Sequence, residues 1–252
     1  MAVVTHQIEV KYRGRTGTNK ITVQASGGAS HDVLIDTQWY HTFSQLVSEL
    51  QTKLQAADGN YTLGIASTGK VTLARSGGVN FSVTWRSLAL RDALGFEANL
   101  SGAQTYTSTT QSPYVFKSSL PWYNDTPSLT YARKMQPVFR SGSRSIKLGK
   151  LRHWFVTARA KHAELEQWRK VTRLLMRGCP ARWFRNSADV SAWSWTNFDG
   201  YVDVVLAADG KDLVDLWPGF PLQKDLETSL SFVEWQNEIE EEGGGGGFFG
   251  GG

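Results

Sequence analysis

The stretch TFSQLVSELQTKLQAADG, residues 42–59, narrows the fold more than any other in the chain. Phe43, Leu46, Val47, Leu50 and Leu54 recur at helical spacing and make one apolar stripe. Thr42 with Gln45 three residues on forms a capping box, and Asp58-Gly59 stops the helix. The sequence around it alternates with period two, which is the signature of strands. HQIEVKYRG alternates Ile8, Val10 and Tyr12, and KITVQA and HDVLID are short β-branched runs separated by SGGAS. YTLGIASTGKVTLARS puts Tyr61, Leu63, Ile65, Val71 and Leu73 on one face across a Ser-Thr-Gly turn, which predicts a hairpin with NFSVTW as its third strand. Phe81, Val83 and Trp85 share a face of that strand; Ser87 then opens a short helix, Gly95 closes it, and Phe96 follows the stop.

From about 103 to 150 the texture turns to Ser, Thr, Pro and Tyr, followed by the basic segment RKMQPVFRSGSRSIKLGK. This predicts an irregular connector, long for a compact domain. A second module starts near Lys150. LRHWFVTARA alternates Trp154, Val156 and Ala158, and AELEQWRKVTRLLMRG is a helix with Leu165, Trp168, Val171 and Leu175 on one face and Gly178 at its end. CPARWFRN, GYVDVVLAADG and DLETSLSFVEWQNE supply three further strands. The expected fold is α+β: two small β-rich modules, each with a helix packed on a mainly antiparallel sheet, joined by an extended arm. Residues 1–110 form the first module with helix 42–57, 111–149 the basic arm, 150–237 the second module, and 238–252 an acidic and Gly/Phe-rich tail.

Charge is segregated along the chain. Residues 1–132 carry 10 Lys and Arg against 8 acids, residues 133–185 carry 15 against 2, and residues 186–252 carry 2 against 13. Such a chain neutralises itself internally or presents opposite surfaces suited to head-to-tail contact between copies.

Chemistry-bearing motifs are sparse. The five histidines (His6, His31, His41, His153, His162) show no metal-ligand spacing, and the single cysteine, Cys179, allows no internal disulfide. There is no GxSxG, Walker loop or GxGxxG opening a helix. Asp199, Asp203, Asp209 and Asp212 lie near strand ends and read as turn or solvated acids. No enzymatic activity, cofactor or metal is expected. No membrane partner is expected either, because no apolar run approaches the roughly 18 residues of a membrane helix. The start also lacks the pattern of a secretory signal.

Two features point to binding. Arg140, Arg144, Lys147, Lys150 and Arg152 near Trp154 have the texture of a phosphate-binding surface, so nucleic acid is a candidate partner of segment 133–185. Of the ten tryptophans several, notably Trp85, Trp154 and Trp168, sit at core-facing phase, but SAWSWTNFDGY holds Trp193 and Trp195 in a loop, where exposed aromatics read as interface anchors. A sugar-binding or hydrolytic tip would need those tryptophans exposed beside paired carboxylates.

The segment YTLGIASTGKVTLARSGGVNFSVTWRSLALRDALGF resembles a module of tailed-phage and other virus structural proteins: a hairpin ending in NFSVTW, a short helix and a terminal LGF. WFVTARAKHAELEQWRKVTRLLMRGCPARWFRN resembles the strand-helix-strand core of phage distal tail and baseplate proteins, with Gly178, Pro180 and Phe184 at the matching places. The resemblance implies a virion tail component, made in the host cytoplasm: a ring-forming adaptor linking the tail tube to the tip or fibres. Its partners would be copies of itself and other virion tail proteins. A head-side connector or capsid vertex protein is the alternative, because the LGF module is not confined to tails. Arg140, Arg144, Trp193, Trp195, Glu240, Glu241, Phe248 and Phe249 are the expected interface residues.

Overall fold

The computed structural model of the protein describes residues 5–16, 19–123, 127–138, 142–207 and 225–235, with backbone alone over 129–151. The first strands are β1 (Gln7–Val10), β2 (Tyr12–Arg13), β3 (Lys20–Ala25), β4 (Ser30–Leu34) and β5 (Trp39–Tyr40), followed by helix α1 (Phe43–Ala57). Then come β6 (Tyr61–Ile65), β7 (Val71–Arg75), β8 (Phe81–Trp85) and helix α2 (Leu88–Ala93). β9 (Leu100–Ala103), β10 (Thr105–Thr107), β11 (Val115–Lys117), β12 (Pro127–Val138) and β13 (Gly142–Ala160) follow. Helix α3 (Leu165–Met176) and strands β14 (Ala181–Phe184), β15 (Tyr201–Leu206) and β16 (Leu226–Glu234) complete the chain order. The fold is α+β, built from mainly antiparallel sheets with few helices.

α1 forms as its stripe requires. Thr42 Oγ1 accepts from the Gln45 amide at 3.2 Å while the Gln45 side chain accepts from the Thr42 amide at 3.2 Å. Its five stripe residues enter a core shared with a sheet ordered β4-β3-β8-β9 and a three-stranded sheet ordered β10-β7-β6. β8 is therefore not the third strand of the β6–β7 hairpin; that place is taken by β10. Alternation reports which face is buried but not which neighbour is paired, and Phe81, Val83 and Trp85 fall opposite Ala25, Val23 and Ile21 of β3.

The LGF turn closes α2 with both hydrogen bonds of a Schellman motif: Phe96 N–H donates to Arg91 O at 3.1 Å and Gly95 N–H to Asp92 O at 3.0 Å. Gly95 has φ +79°, and a Cβ there would meet Thr110 O at 2.2 Å, so both backbone and space demand glycine. The turn drives Phe96 inward to stack on Trp85, centroids 5.2 Å apart. Burial of a phenyl ring is worth about 1.5–3 kcal/mol. α3 ends in the same way, with Cys179 N–H donating to Leu174 O at 3.2 Å and Gly178 N–H to Leu175 O at 2.9 Å.

The second core lies on a seven-stranded sheet ordered β11-β1-β14-β15-β16-β13-β12, with Trp168, Val171 and Leu175 of α3 packed on one face. Two of its strands come from the N-terminal part of the chain. β1 pairs with β14 and β11, so Ile8 and Val10 belong to this core while Tyr12, two residues on, belongs to the first. An unbroken alternation thus conceals a crossing from one core to the other at Lys11.

Residues 103–150 differ most from expectation. Much of the stretch is strand: β10, β11, and a ribbon in which Pro127–Val138 runs antiparallel to Gly142–Trp154. Ser, Thr and Pro read as loop, yet Pro127 opens a strand and Pro137 lies on the sheet's edge strand, the two positions that tolerate a missing N–H. β16 pairs only with His153–Ala160 of β13, so the ribbon from Ser128 to Arg152 continues past the body of the sheet as two strands.

Candidate functional site

The crossing residue builds the most concentrated polar site among the described residues. Lys11 N–H donates to Pro180 O at 2.9 Å, which fixes the backbone, and its side chain is fully buried. Nζ lies 2.7 Å from Asp203 Oδ2, 2.6 Å from His41 Nδ1 and 4.0 Å from the centroid of Trp235. Asp203 also receives Arg182 in a two-point grip, Nε at 2.9 Å and Nη2 at 3.0 Å, and the guanidinium lies 3.9 Å over Tyr201. One strand away, buried Glu9 accepts the Phe43 amide at 2.8 Å, satisfying an orphan donor of the first turn of α1.

The electrostatics follow from burial. Desolvation pulls the Lys11 ammonium down to about 8, against the opposing hydrogen bond and charge of Asp203. Desolvation likewise lowers His41, reinforced by the neighbouring Lys11 charge. Burial works to raise Asp203, but hydrogen bonds from Arg182 and Lys11 prevail and hold it below the usual carboxylate range. Glu9 moves up, because burial outweighs the Phe43 amide. A buried amine near neutrality resembles a catalytic lysine, but with no exposed surface Lys11 has no approach for a substrate. What the arrangement does is hold two cores together: β1, β14 and β15 supply Glu9, Arg182 and Asp203, while the first core supplies His41 and the N-terminus of α1.

Trp235 completes the joint. It follows β16 of the second sheet, yet its ring packs edge-on against Trp39, centroids 5.6 Å apart, and against His41 at 6.2 Å. Asp203 is accordingly not the solvated acid that its place near a strand end suggests. No motif marks Lys11, His41, Arg182 and Trp235; the one available signal is a lysine set inside an apolar alternation.

The aromatic loop divides the two predicted anchors. Trp193 is only 7 % exposed, lying edge-on to Trp154 beneath Arg152, whose guanidinium is 4.6 Å from its centroid. It is a core residue, because Trp193 N–H donates to Tyr201 O at 2.8 Å and so draws the ring onto the sheet. Trp195 is 59 % exposed and Phe198 50 %, both edge-on to Trp193, with Val190 at 75 % on the same loop. The loop is held by its own polar groups: Asp189 accepts from Ser191 N–H at 2.8 Å and Asn197 Nδ2 at 3.1 Å, and Arg185 donates to Phe198 O. With Trp193 buried and Asp189 engaged in this way, the loop lacks the exposed tryptophan pair beside two free carboxylates that a sugar site needs.

The basic and acidic blocks meet inside one chain. Arg152 reaches Glu234 at 3.3 Å, Arg159 reaches Glu227 at 3.7 Å, and Arg182 grips Asp203. Of the other predicted interface residues, Arg144 stands on the ribbon opposite Gln136. Arg140, Glu240, Glu241, Phe248 and Phe249 lie outside the described residues. Among the described residues no group of three His, Cys, Asp or Glu is placed to hold a metal, and no helix is long and apolar enough to cross a membrane.

No protein-family model matches the chain, and no match was found among curated proteins. Among solved structures the chain is similar to the mavirus penton protein, with a TM-score of 0.29 and 10% identity. The likeness covers 59% of this chain and 63% of that one, and at this TM-score it assigns no function.

Proposed function

We propose that the protein is a structural component of a virion, a ring-forming adaptor of the distal tail that works by binding copies of itself and neighbouring tail proteins rather than by catalysis. The virion assignment is supported by the resemblance of residues 40–108 and 150–236 to phage structural modules. The observation that carries the assembly role is the ribbon Ser128–Arg152, which leaves the sheet with the outer edge of β12 without a strand partner among the described residues. An open strand edge is a template for another chain, and soluble proteins normally cover or blunt it. A two-stranded ribbon is marginal alone, which favours a neighbour that completes it.

Charge sets the orientation. Arg133, Lys134, Arg144, Lys147 and Lys150 fall within the ribbon's sequence, and no acid lies between Asp125 and Glu164. Of the C-terminal acids, Asp203, Glu227 and Glu234 are already engaged within the chain. Asp209, Asp212, Asp215, Glu238 and Glu240–Glu242 lie outside the described residues, and their density in the sequence is the acidic complement proposed for the ribbon of a neighbour.

The test is absolute mass by light scattering on the full chain, at low and high salt, with absorbance at 260 and 280 nm. A discrete oligomer that loosens in salt and carries no nucleic acid is expected. Particles that carry nucleic acid and shed it in salt would instead assign the ribbon to a polyanion, since a two-stranded basic ribbon also fits a DNA major groove.

A further inference from the structure

We infer that His41 is an acid-sensitive latch on the joint between the two cores, closed while its imidazole is neutral and opened when the ring takes a second proton. The contact that carries this is the 2.6 Å approach of Lys11 Nζ to His41 Nδ1. An ammonium has only donors, so the hydrogen bond requires that Nδ1 accept and that the proton of the neutral ring sit on Nε2. A doubly protonated ring would set an N–H against an N–H across the same gap.

The surroundings leave that second proton without compensation. The crossing after β1 supplies Lys11, β14 supplies Arg182, and β15 supplies Asp203, whose Oδ2 lies 3.8 Å from His41 Nδ1. Asp203 already holds Lys11 at 2.7 Å and Arg182 at two points. From the end of β16, Trp235 presents a neutral ring. On its own side, His41 immediately precedes the cap of α1, where the backbone N–H groups carry partial positive charge, and the first turn of α1 contains no acid. The negative charge there comes from Glu9 of β1, which accepts the Phe43 amide at 2.8 Å. Burial, with Lys11 and Arg182, accordingly holds His41 below its ordinary value, against the pull of Asp203.

Geometry also fixes which side yields. Lys11 is fully buried and its N–H is tied to Pro180 O at 2.9 Å, whereas the His41 side chain is 28 % exposed. A charged His41 therefore swings toward water. Its departure removes an acceptor from Lys11 and one of the two rings of the first core that flank Trp235, while the shared strands stay in place.

The unfolded chain protonates His41 near pH 6.5 and the folded chain only lower, so stability is lost as pH falls from about 6.5. Glu9 acts in the opposite sense, because burial makes the folded chain take its proton first. Asp203, held low, contributes a loss only below about pH 3.8. The interval from about pH 6.5 to about pH 5 is therefore where His41 acts in the losing direction.

The experiment is urea unfolding of the full chain at neutral pH and at about pH 5, with His41→Asn beside it. The asparagine oxygen keeps an acceptor near the place of Nδ1 and does not titrate. The urea midpoint is expected to fall further on acidification in the natural chain than in His41→Asn, and equal falls overturn the proposal. If His41→Asn does not fold, NMR of the His41 ring decides on the natural chain and on Lys11→Met. The Nε2–H tautomer is expected at neutral pH, with a titration midpoint that rises by about one pH unit when Lys11 is replaced. An Nδ1–H tautomer, or a midpoint that does not move, overturns the proposal. The latch does not rest on the virion reading, and neither readout depends on the mass measured by light scattering.

Discussion

At the scale of single residues, the lock between the cores rests on unequal partners. Asp203 neutralises both Lys11 and Arg182. Removing its charge leaves two buried cations, whereas removing Lys11 leaves a complete Arg182–Asp203 pair. Asp203→Asn is therefore expected to cost about 3–5 kcal/mol in urea unfolding, and Lys11→Met distinctly less. Lys11 also carries a pH signature. Its folded pKa, about 8, lies below the unfolded value of 10.5, so the unfolded chain binds the extra proton between these limits. Stability should rise with pH from about 8 as folded Lys11 sheds its charge, and the rise should vanish in Lys11→Met. The comparison is best made below about pH 9.5, before tyrosine ionisation opposes it, since burial holds Tyr12 and Tyr114 above their usual value. A rise of equal size in both proteins would remove Lys11 from the account.

At the scale of elements, local rules do most of what they promise. The capping box of α1 forms as Thr42 and Gln45 prescribe, and Thr42→Ala should cost about 1 kcal/mol. Gly95→Ala should cost more than about 2 kcal/mol, because a left-handed backbone and a clash with Thr110 O combine there; thermal melts of the two variants would rank them. These features were legible because each depends on a few consecutive residues: the stripe of α1, the stop at Gly95, the turn of the β6–β7 hairpin. Strand partners were not legible. Ile8, Val10 and Tyr12 alternate identically whether they serve one core or two, and NFSVTW has the same pattern beside β3 as it would beside β7. The ribbon was hidden for a related reason, since an edge strand accepts the prolines and polar residues that otherwise mark a loop. The aromatic loop was located by its composition, but which tryptophan is buried follows from the two backbone bonds that tie Ser191 and Trp193 to Tyr201, a long-range contact that composition does not report.

At the scale of the whole molecule, the chain consists of two cores that share strands and one buried joint. β1 and β11 reach the second sheet from the N-terminal side, and Trp235 returns from the second sheet to Trp39 and His41 of the first. Such reciprocal threading predicts a single cooperative unfolding transition. Trp235→Ala should weaken the coupling enough to separate two transitions in calorimetry, and a lone transition lowered in temperature would show that the shared strands suffice. The two joined cores then form the platform of the proposed function, which is assigned to the basic ribbon. The most direct test of that placement is an electron-microscopy reconstruction of the assembled full-length protein. The account predicts a closed ring in which the ribbon Ser128–Arg152 of each copy lies against the next copy. A ring whose contacts leave the ribbon free, or a ribbon folded back on its own sheet, would contradict it.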